Sequence, residues 1–286
     1  MPKHIAYLLL ATALLAGCRT GRNYPDTTGP RYAGRPGGSA GVQRATGDTI
    51  HVVSFNIAFG RRADSAIKLF KSDPALRNAD LILLQEMDAP STRRVANALG
   101  FWYVYYPAIF SLTTQRDFGN AVLSRWPIVE DEKIVLPHVS RYARTQRTAT
   151  AATVRIGGSN VRVYSTHLST MFDIRSSARR DQLRAILRDA ANYPRVIIGG
   201  DMNSSVVGRV ARDMGYDWPT ERGPHTTAGG RWDHLFFKGL TTAGAAAGTV
   251  SRIRGASDHR PVWATAILGD PTTRRRLTTS SQDKQQ

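Results

Sequence analysis

The feature that most constrains the fold is a series of short apolar segments, rich in β-branched and aromatic residues and separated by turn-forming clusters. Such segments are typical of β-strands, and about eleven can be counted. They are Ile50–Phe55, Leu81–Gln85, Trp102–Tyr106, Asn120–Leu123, Ile134–Leu136, Thr148–Ile156, Val161–Thr166, Val196–Gly199, Trp232–Phe237, Ala243–Val250 and Val262–Ile267. Helical spacing is confined to Ala63–Phe70, Ser91–Leu99 and Arg175–Ala191. Many strands with few helices predict an α/β fold of two packed sheets flanked by helices, not a regular βαβ series.

Several of these segments end in an acid, an amide or an imidazole. The residues at such ends are Asn56, Glu86, His167, Asp201 and Asn203, and later polar positions are Asp233, Asp258 and His259. A charged residue at the end of an apolar run is costly to bury unless it is paired or binds a metal. We therefore expect these ends to converge on one edge of the sheets and form a polar pocket.

Each of these residues also has a purely structural interpretation. Asn56 would cap a helix, Glu86 would be solvated, and Asp201 would open an Asx turn with Asn203. The pair Asp258-His259 would lie in a plain loop. For any single residue the two interpretations are about equally good, but their recurrence along one chain favours a functional site.

The motifs around these residues occur in a particular order. They are Ser-Phe-Asn56, Gln-Glu86, Gly-Asn120-Ala-Val-Leu-Ser, Ser-Thr-His167-Leu, Gly-Gly-Asp201-Met-Asn203-Ser, Trp-Asp233-His-Leu-Phe and Ser-Asp258-His259-Arg-Pro-Val. This order resembles the endonuclease/exonuclease/phosphatase superfamily over residues 49–268. The resemblance implies a deoxyribonuclease I-like, four-layer α/β sandwich and metal-dependent hydrolysis of phosphate esters. A histidine at this place in the Ser-Thr-His167-Leu motif resembles the branch that contains deoxyribonuclease I, neutral sphingomyelinases and inositol-phosphate phosphatases. The abasic-site repair nucleases do not have histidine there, so a repair role is disfavoured.

The expected cofactor is Mg²⁺, or Mn²⁺ in its place. Mg²⁺ prefers one or two carboxylates together with water and substrate oxygens. Glu86 is therefore the main expected ligand, Asn56 adjoins it, and Asp258 holds a supporting or alternative position. Asn120 and Arg147 are expected to bind the substrate phosphate. For Arg147 the reason is that a guanidinium group matches phosphate oxygens in a bidentate manner.

The remaining polar residues are expected to carry out proton transfer and to stabilise the transition state. Asp201 is expected to orient and deprotonate the water, and Asn203 to donate a hydrogen bond to a phosphate oxygen. His259 is expected to act as a general base or to bind the phosphoryl group, and the resemblance implies that Asp233 fixes its tautomer. His167 is expected to stabilise the transition state or to protonate the leaving group.

Residues 1–18 are predicted to be a lipoprotein signal peptide. Lys3 precedes an apolar run over residues 5–15, which is too short to span a bilayer but fits a signal-peptide core. Leu15-Ala-Gly-Cys18 resembles a lipobox, in which Cys18 is acylated; a soluble secretory signal is the alternative. Cys18 is the single cysteine, so the chain has no intrachain disulfide. We expect a lipid-anchored protein of the bacterial cell envelope, at the outer membrane or periplasmic face.

Two segments have a composition typical of unstructured chain. Residues 19–48 are rich in glycine, proline and arginine and are predicted to be a flexible tether. Residues 269–286 are predicted to be a disordered tail.

The chain is strongly basic, with a formal net charge of +17, which favours an anionic partner. Three functions stay open. The favoured one is an envelope-anchored phosphoesterase acting on a lipid headgroup or a small phosphoester. The others are an envelope-anchored endonuclease acting on DNA and an inactive binding module on the same fold. A monomer is the favoured oligomeric state.

Overall fold

The structure is a computed structural model that describes residues 21–36, 49–242 and 246–268. The strands are β1 Gly21–Asn23, β2 Tyr32–Gly34, β3 Thr49–Asn56, β4 Leu81–Met87, β5 Trp102–Ser111, β6 Arg116–Ser124, β7 Ile128–Val135, β8 Thr148–Ile156, β9 Ser159–His167, β10 Val196–Asp201, β11 Asp233–Lys238, β12 Ala247–Thr249 and β13 Val262–Ile267. The helices are α1 Ala63–Ser72, α2 Ala89–Leu99, α3 Ser176–Ala190 and the short α4 Arg209–Asp213, and a 3-10 turn covers Ala58–Gly60.

The strands form two sheets. The first has the order β1-β5-β6-β4-β3-β13-β12, with β2 also paired to β5, and the second has the order β11-β10-β9-β8-β7. Pairing is antiparallel except for β3 with β4 and β9 with β10, which are parallel. Because parallel neighbours end at the same edge, Asn56 and Glu86 lie together in the first sheet, and His167 lies beside Asp201 in the second.

The sheets pack face to face between two layers of helices. Along β3, Ile50 and Val52 point between the sheets, whereas Val53 and Phe55 point to the helices α1 and α2. Along β10, Ile197 points between the sheets and Ile198 packs beneath α3 and α4. Both faces of these strands are covered, which is why they appear as continuous apolar runs. The predicted four-layer α/β sandwich is confirmed.

Polar side chains cross between the sheets near the functional end. Gln85 donates to the Ser165 hydroxyl at 3.0 Å, and that hydroxyl donates to the Leu84 carbonyl at 2.9 Å. Asn120 donates to the Thr148 carbonyl at 2.8 Å. Buried polar groups need such partners, so these bonds select one position of the sheets relative to each other.

The prediction of a flexible tether over 19–48 is wrong for residues 21–36. The strands β1 and β2 pair with β5 and extend the first sheet. Arg31 makes a two-point ion pair with Asp131 at 2.6 and 2.7 Å, and Lys133 donates to the Tyr24 carbonyl at 3.1 Å. These partners lie far away in the sequence, so local composition gives no sign of them. Residues 1–20, 37–48 and 269–286, with the predicted signal peptide, Cys18, the rest of the tether and the tail, lie outside the described residues.

Smaller differences concern the edges of the sheets. The strand β7 begins at Ile128, six residues before the predicted start at Ile134. Its first half was missed because an edge strand can carry charged residues, here Glu130–Lys133, which break the apolar pattern used to predict strands. Of the predicted strand Ala243–Val250, residues Ala247–Thr249 form a strand. Residues 243–245 lie outside the part of the chain that the structure describes. None of the helices described is both long enough and apolar enough to cross a bilayer.

The ion pair of Asp131, whose carboxylate is 8% exposed while the Arg31 side chain is 48% exposed, is expected to hold residues 21–36 in place. Asp131→Asn removes the charge that accepts from Arg31 and from the Tyr106 hydroxyl. We expect the free energy of unfolding in urea to fall by about 1–3 kcal/mol, with faster trypsin cleavage within 21–36. Asp64→Asn is the control because the Asp64–Arg94 pair is exposed on both sides, and its loss is expected to be about 0.5 kcal/mol or less. Equal losses for the two variants would contradict this assignment.

Candidate active site

The carboxylate of Asp201 is the centre of the polar pocket. It lies at the end of β10 and is 2% exposed. It accepts hydrogen bonds from the Asn56 amide at 3.2 Å and from the Asn203 backbone N–H at 2.9 Å. Nε2 of His167 lies 3.2 Å from it, and Nε2 of His259 lies 3.7 Å from it. The predicted convergence of strand ends from both sheets is therefore observed.

Burial sets the protonation of Asp201. Removal from water, and then the neighbouring charge of Asp233, raise the pKa of Asp201 to about 7, although His259 and the Asn203 N–H oppose the rise. A carboxyl group with a pKa near neutrality exchanges protons readily at physiological pH. This property fits the predicted role of Asp201 beside a reacting water.

Glu86 occupies a β-bulge in β4. The pairing of β4 with β6 shifts register between Leu84 and Met87, and Glu86 has a left-handed backbone with φ 58°. A bulge re-aims a side chain out of the regular pleat. The Glu86 carboxylate accepts from the Asn56 amide at 3.1 Å and from the Phe59 backbone N–H at 3.2 Å. Burial raises the pKa of Glu86, and the charge of Asp258 adds to the rise.

Asn56 joins the two acids. Its NH₂ group donates to both Glu86 and Asp201, while its oxygen accepts from the Ala58 backbone N–H at 3.1 Å. An amide oxygen in the place of the NH₂ group would face two carboxylates, so the observed orientation is the one that satisfies all partners. In this arrangement Asn56 positions Glu86 and does not present its oxygen to a cation beside Glu86, in contrast to the expected ligand role.

His259 is held by Asp233. Its Nδ1 lies 2.9 Å from the Asp233 carboxylate, as the resemblance implies. Burial disfavours the charged ring, but the charge and hydrogen bond of Asp233, with the charges of Asp201 and Asp258, raise the pKa of His259 to about 10. The ring is therefore an imidazolium at neutral pH. It is suited to bind a phosphoryl oxygen, one of its two expected roles, and not to accept a proton as a base.

His167 is held as a neutral ring. Burial, and then the charges of Arg147 and His259, lower its pKa well below the ordinary value. The Asn203 amide donates to the Leu168 carbonyl and lies 2.9 Å from Nε2 of His167, so Nε2 accepts and the ring proton lies on Nδ1. That Nδ1 atom is 3.7 Å from Glu86 and has no hydrogen-bond partner among the described residues. A neutral ring with a free N–H is suited to hydrogen-bond a phosphoryl oxygen and so stabilise the transition state, the first of its two expected roles, and not to give up its proton to a leaving group.

The two predicted phosphate-binding residues differ in their surroundings. Arg147 lies over the Phe118 ring at 5.3 Å and 4.0 Å from Asp173, and its Nη1 has no hydrogen-bond partner in the described part of the chain. Burial lowers its pKa, opposed by Asp173, Glu86 and Asp201. An unsatisfied guanidinium nitrogen beside the pocket suits an anionic ligand. Asn120 is instead engaged between the sheets, so its phosphate contact stays a prediction.

Two groups of ligand atoms are candidates for a metal ion. One consists of Asp201, Asp233 and His259, whose ligand atoms lie within 4.8 Å of one another. The hydrogen bond and charged ring of His259 compete with metal binding there, because an imidazolium offers no lone pair. The other consists of Glu86 with Asp258, two acids close enough for the charge of Asp258 to raise the pKa of Glu86. Carboxylates with open coordination positions are the donor set that Mg²⁺ prefers, so a divalent cation fits beside Glu86.

Sequence reasoning missed three residues that shape the site. Phe118 places its ring 5.7 Å from the ring of His167, and Phe59 lies 5.3 Å from Phe118. Ser257 donates to the Asn56 carbonyl at 2.7 Å and accepts from the His259 backbone N–H at 3.1 Å. Ser257 could have been found from the Ser-Asp-His motif, whereas nothing in the sequence separates Phe59 and Phe118 from ordinary core residues.

Comparison with known proteins identifies the family of the chain and its fold. A family model described as "Endonuclease/Exonuclease/phosphatase family" matches residues 53–259. No curated protein matches the chain.

Solved structures resemble the chain throughout the sandwich. An endonuclease/exonuclease/phosphatase from Beutenbergia cavernae is similar over 77% of this chain and 72% of its own, with 20% identity and a TM-score of 0.61. D. rerio TDP2, solved with a single-strand DNA product, covers 76% of this chain and 98% of its own, with 17% identity and a TM-score of 0.59. Sphingomyelinase C from Streptomyces griseocarneus is similar over 76% of this chain and 99% of its own, with 18% identity and a TM-score of 0.57. At these identities the likeness shows the fold.

The raised pKa of His259 predicts a stability that depends on pH. Its folded value of about 10 exceeds the unfolded value of about 6.5, so this stabilisation is complete below about pH 6.5 and is lost as pH rises toward 10. Asp233→Asn removes the charge that holds the ring protonated, and we expect it to flatten this part of the pH dependence. Urea unfolding in the presence of a chelator, at about pH 6, 8 and 10, measures the effect. Parallel curves for the two proteins would contradict it.

Proposed function

Since the chain belongs to the endonuclease/exonuclease/phosphatase family, we propose that it is a divalent-metal-dependent phosphoesterase that hydrolyses a phosphodiester or phosphomonoester by an activated water. The observation that carries this proposal is the contact of one buried carboxylate, Asp201, with groups from both sheets. Glu86 lies next to it through the shared amide of Asn56. An acid, two differently protonated imidazoles and a metal-binding carboxylate meet the needs of phosphate ester hydrolysis.

Each residue has a part that follows from its protonation. The charged ring of His259 and the guanidinium of Arg147 bind phosphate oxygens and stabilise the charge that develops on them. Asp201 orients the water and takes its proton. His167, as a neutral ring, donates a hydrogen bond from Nδ1 to a phosphoryl oxygen and stabilises its developing charge, while the departing oxygen takes its proton from solvent. Glu86, supported by Asp258, would hold Mg²⁺ or Mn²⁺, which neutralises charge on the phosphate when bound.

The favoured substrate is a lipid headgroup or a small phosphoester. The similarity of Leu15–Cys18 to a lipobox supports an anchored enzyme of the bacterial envelope, which would meet phospholipids at the membrane surface. One of the similar structures is named sphingomyelinase C. Arg147, with an unsatisfied nitrogen beside the pocket, is suited to the phosphate of either substrate.

A second candidate is an envelope-anchored endonuclease acting on DNA. The net charge of +17 supports it, because cationic proteins bind the phosphate backbone of nucleic acids. A nuclease of this kind is expected to lose plasmid-nicking activity steeply as salt rises, whereas cleavage of a small neutral-headgroup substrate would depend weakly on salt.

The proposed site predicts which substitutions abolish hydrolysis. Glu86→Gln removes the main metal carboxylate and His259→Ala removes the phosphate-binding cation, so we expect each to lower activity by roughly 100-fold or more. The measurement is hydrolysis of bis(p-nitrophenyl) phosphate by the full chain with Mg²⁺ or Mn²⁺. His138→Ala is the matched control, because His138 is an exposed histidine paired with Asp181. Unchanged rates in the Glu86 and His259 variants would refute the site.

Parallel assays with supercoiled plasmid and with phospholipid or sphingomyelin vesicles separate the candidate substrates. Headgroup release without nicking supports the lipid phosphoesterase, and nicking alone supports the endonuclease. Failure to hydrolyse any of these substrates, with the protein folded and no binding of Mg²⁺ or Mn²⁺ detectable, would favour the inactive binding module.

A further inference from the structure

Exposed apolar side chains are concentrated on three loops at the functional end of the sandwich. These loops are 112–115 between β5 and β6, 136–147 between β7 and β8, and 168–175 between β9 and α3. Tyr142 is 73% exposed, Met171 60% and Phe172 78%. We call the exposed apolar residues of these loops the loop-tip surface; its members are Leu112, Val139, Tyr142, Met171 and Phe172. Large apolar side chains that face water together commonly mark an interaction site.

The three loops form one structure. The Arg141 backbone N–H donates to the Asp173 carbonyl at 3.0 Å, which joins the second loop to the third. All three line a single cavity of about 350 Å³, through Thr113, Ala143 and Asp173 among others. Leu112, Tyr142 and Phe172 each directly precede one of these lining residues in the sequence, which places them beside the cavity.

This cavity borders the proposed reaction centre. Its wall includes Phe59, Phe118 and Arg147. Phe118 contacts the ring of His167, and Arg147 lies over Phe118. A ligand entering between the loop tips therefore passes an apolar wall and reaches a cation next to the catalytic histidine.

Most charges on and beside the loop tips are positive, and the exposed carboxylate of Asp181 is shared between His138 and Arg184. Arg141, Arg144 and Arg175 lie on the same loops and are exposed. The acidic residue of these loops, Asp173, is occupied by hydrogen bonds with Thr170 and lies 4.0 Å from Arg147. Apolar tips among exposed arginines match a surface that is anionic outside and apolar within.

We propose that the loop-tip surface docks on a lipid bilayer that contains anionic lipid, and that it places the mouth of the cavity over a phospholipid headgroup. The inference rests on the proposed function for the position of the reaction centre. A nucleic acid fits less well, because base stacking uses aromatic rings and Leu112, Val139 and Met171 are not aromatic. Exposed apolar side chains such as those of the loop-tip surface insert at the boundary between the lipid headgroups and the acyl chains.

The test uses the full chain with Cys18→Ser in every variant, so that an acyl anchor does not bind the vesicles. The loop-tip variant is Met171→Ser with Phe172→Ser. The matched control is Val129→Ser with Met214→Ser, two exposed apolar residues at the opposite end of the sandwich, 38% and 40% exposed. The position of Met214 follows from a hydrogen bond that its carbonyl accepts from Lys238. Lys238 is the last residue of β11, and Asp233 at the other end of that strand belongs to the polar pocket. Circular dichroism and thermal unfolding verify that both variants fold.

Binding is measured by co-sedimentation with vesicles of phosphatidylcholine and phosphatidylglycerol in equal amounts. We expect the parent protein and the control to bind, and the loop-tip variant to bind roughly tenfold or more weakly, since two large apolar side chains are lost from the interface. Vesicles of phosphatidylcholine alone are expected to bind more weakly. Absence of binding by the parent, or equal binding by all variants, would overturn the proposal. A loss of affinity for single-stranded DNA with vesicle binding unchanged would overturn it in favour of a nucleic-acid surface.

The rates on two substrates separate this proposal from the proposed function. We expect the ratio of headgroup release from vesicles to hydrolysis of bis(p-nitrophenyl) phosphate to fall about tenfold in the loop-tip variant and to stay unchanged in the control. If the parent hydrolyses neither substrate, the proposed function fails while co-sedimentation still decides the docking surface. An unchanged ratio in the loop-tip variant, with both activities present, would count against the docking surface alone.

Discussion

The functional end of the sandwich depends on the burial of one carboxylate. Asp201 lies almost entirely out of water, where a charged group is tolerated only with compensating partners. Those partners come from Asn56 in one sheet, from Asn203 after β10 and from His259 before β13. The two sheets must therefore meet at this end in one arrangement, which the bonds of Gln85 and Asn120 across the sheets also require.

Four of the eight described non-glycine residues with a positive φ lie at the same place. Ala58, Phe59, Glu86 and Asn203 all have left-handed backbones, which are unfavourable for residues other than glycine. In each case the conformation serves a contact: the turn brings the Phe59 N–H to Glu86, and Asn203 turns back to Asp201 and His167. The packed strands beneath supply the stability that this strain consumes, so the pocket is held in place before any substrate arrives.

Features that depend on the local sequence pattern could be predicted, whereas features that depend on contacts with distant parts of the chain could not. The strand ends with Glu86, His167 and Asp201 could be found because an acid or imidazole interrupts an apolar run. The structured part of the predicted tether could not, because residues 21–36 are fixed by the edge of β5 and by the charge of Asp131. The orientation of the Asn56 amide was likewise beyond prediction, since it follows from two acids brought together only by folding.

The same distinction separates the chemistry from the choice of substrate. The groups proposed to react stand at or near strand ends, whose positions are set by buried packing, while the neighbouring cavity is lined in part by loops with apolar tips. Arg147 connects the two parts: it lies against the apolar wall at Phe118, and its charge acts on Glu86, Asp201 and His167. Under the proposed function, a guanidinium in that position would draw a phosphate inward and leave the attached organic group among the loops. Loop changes can therefore alter what is bound while the reaction centre stays the same.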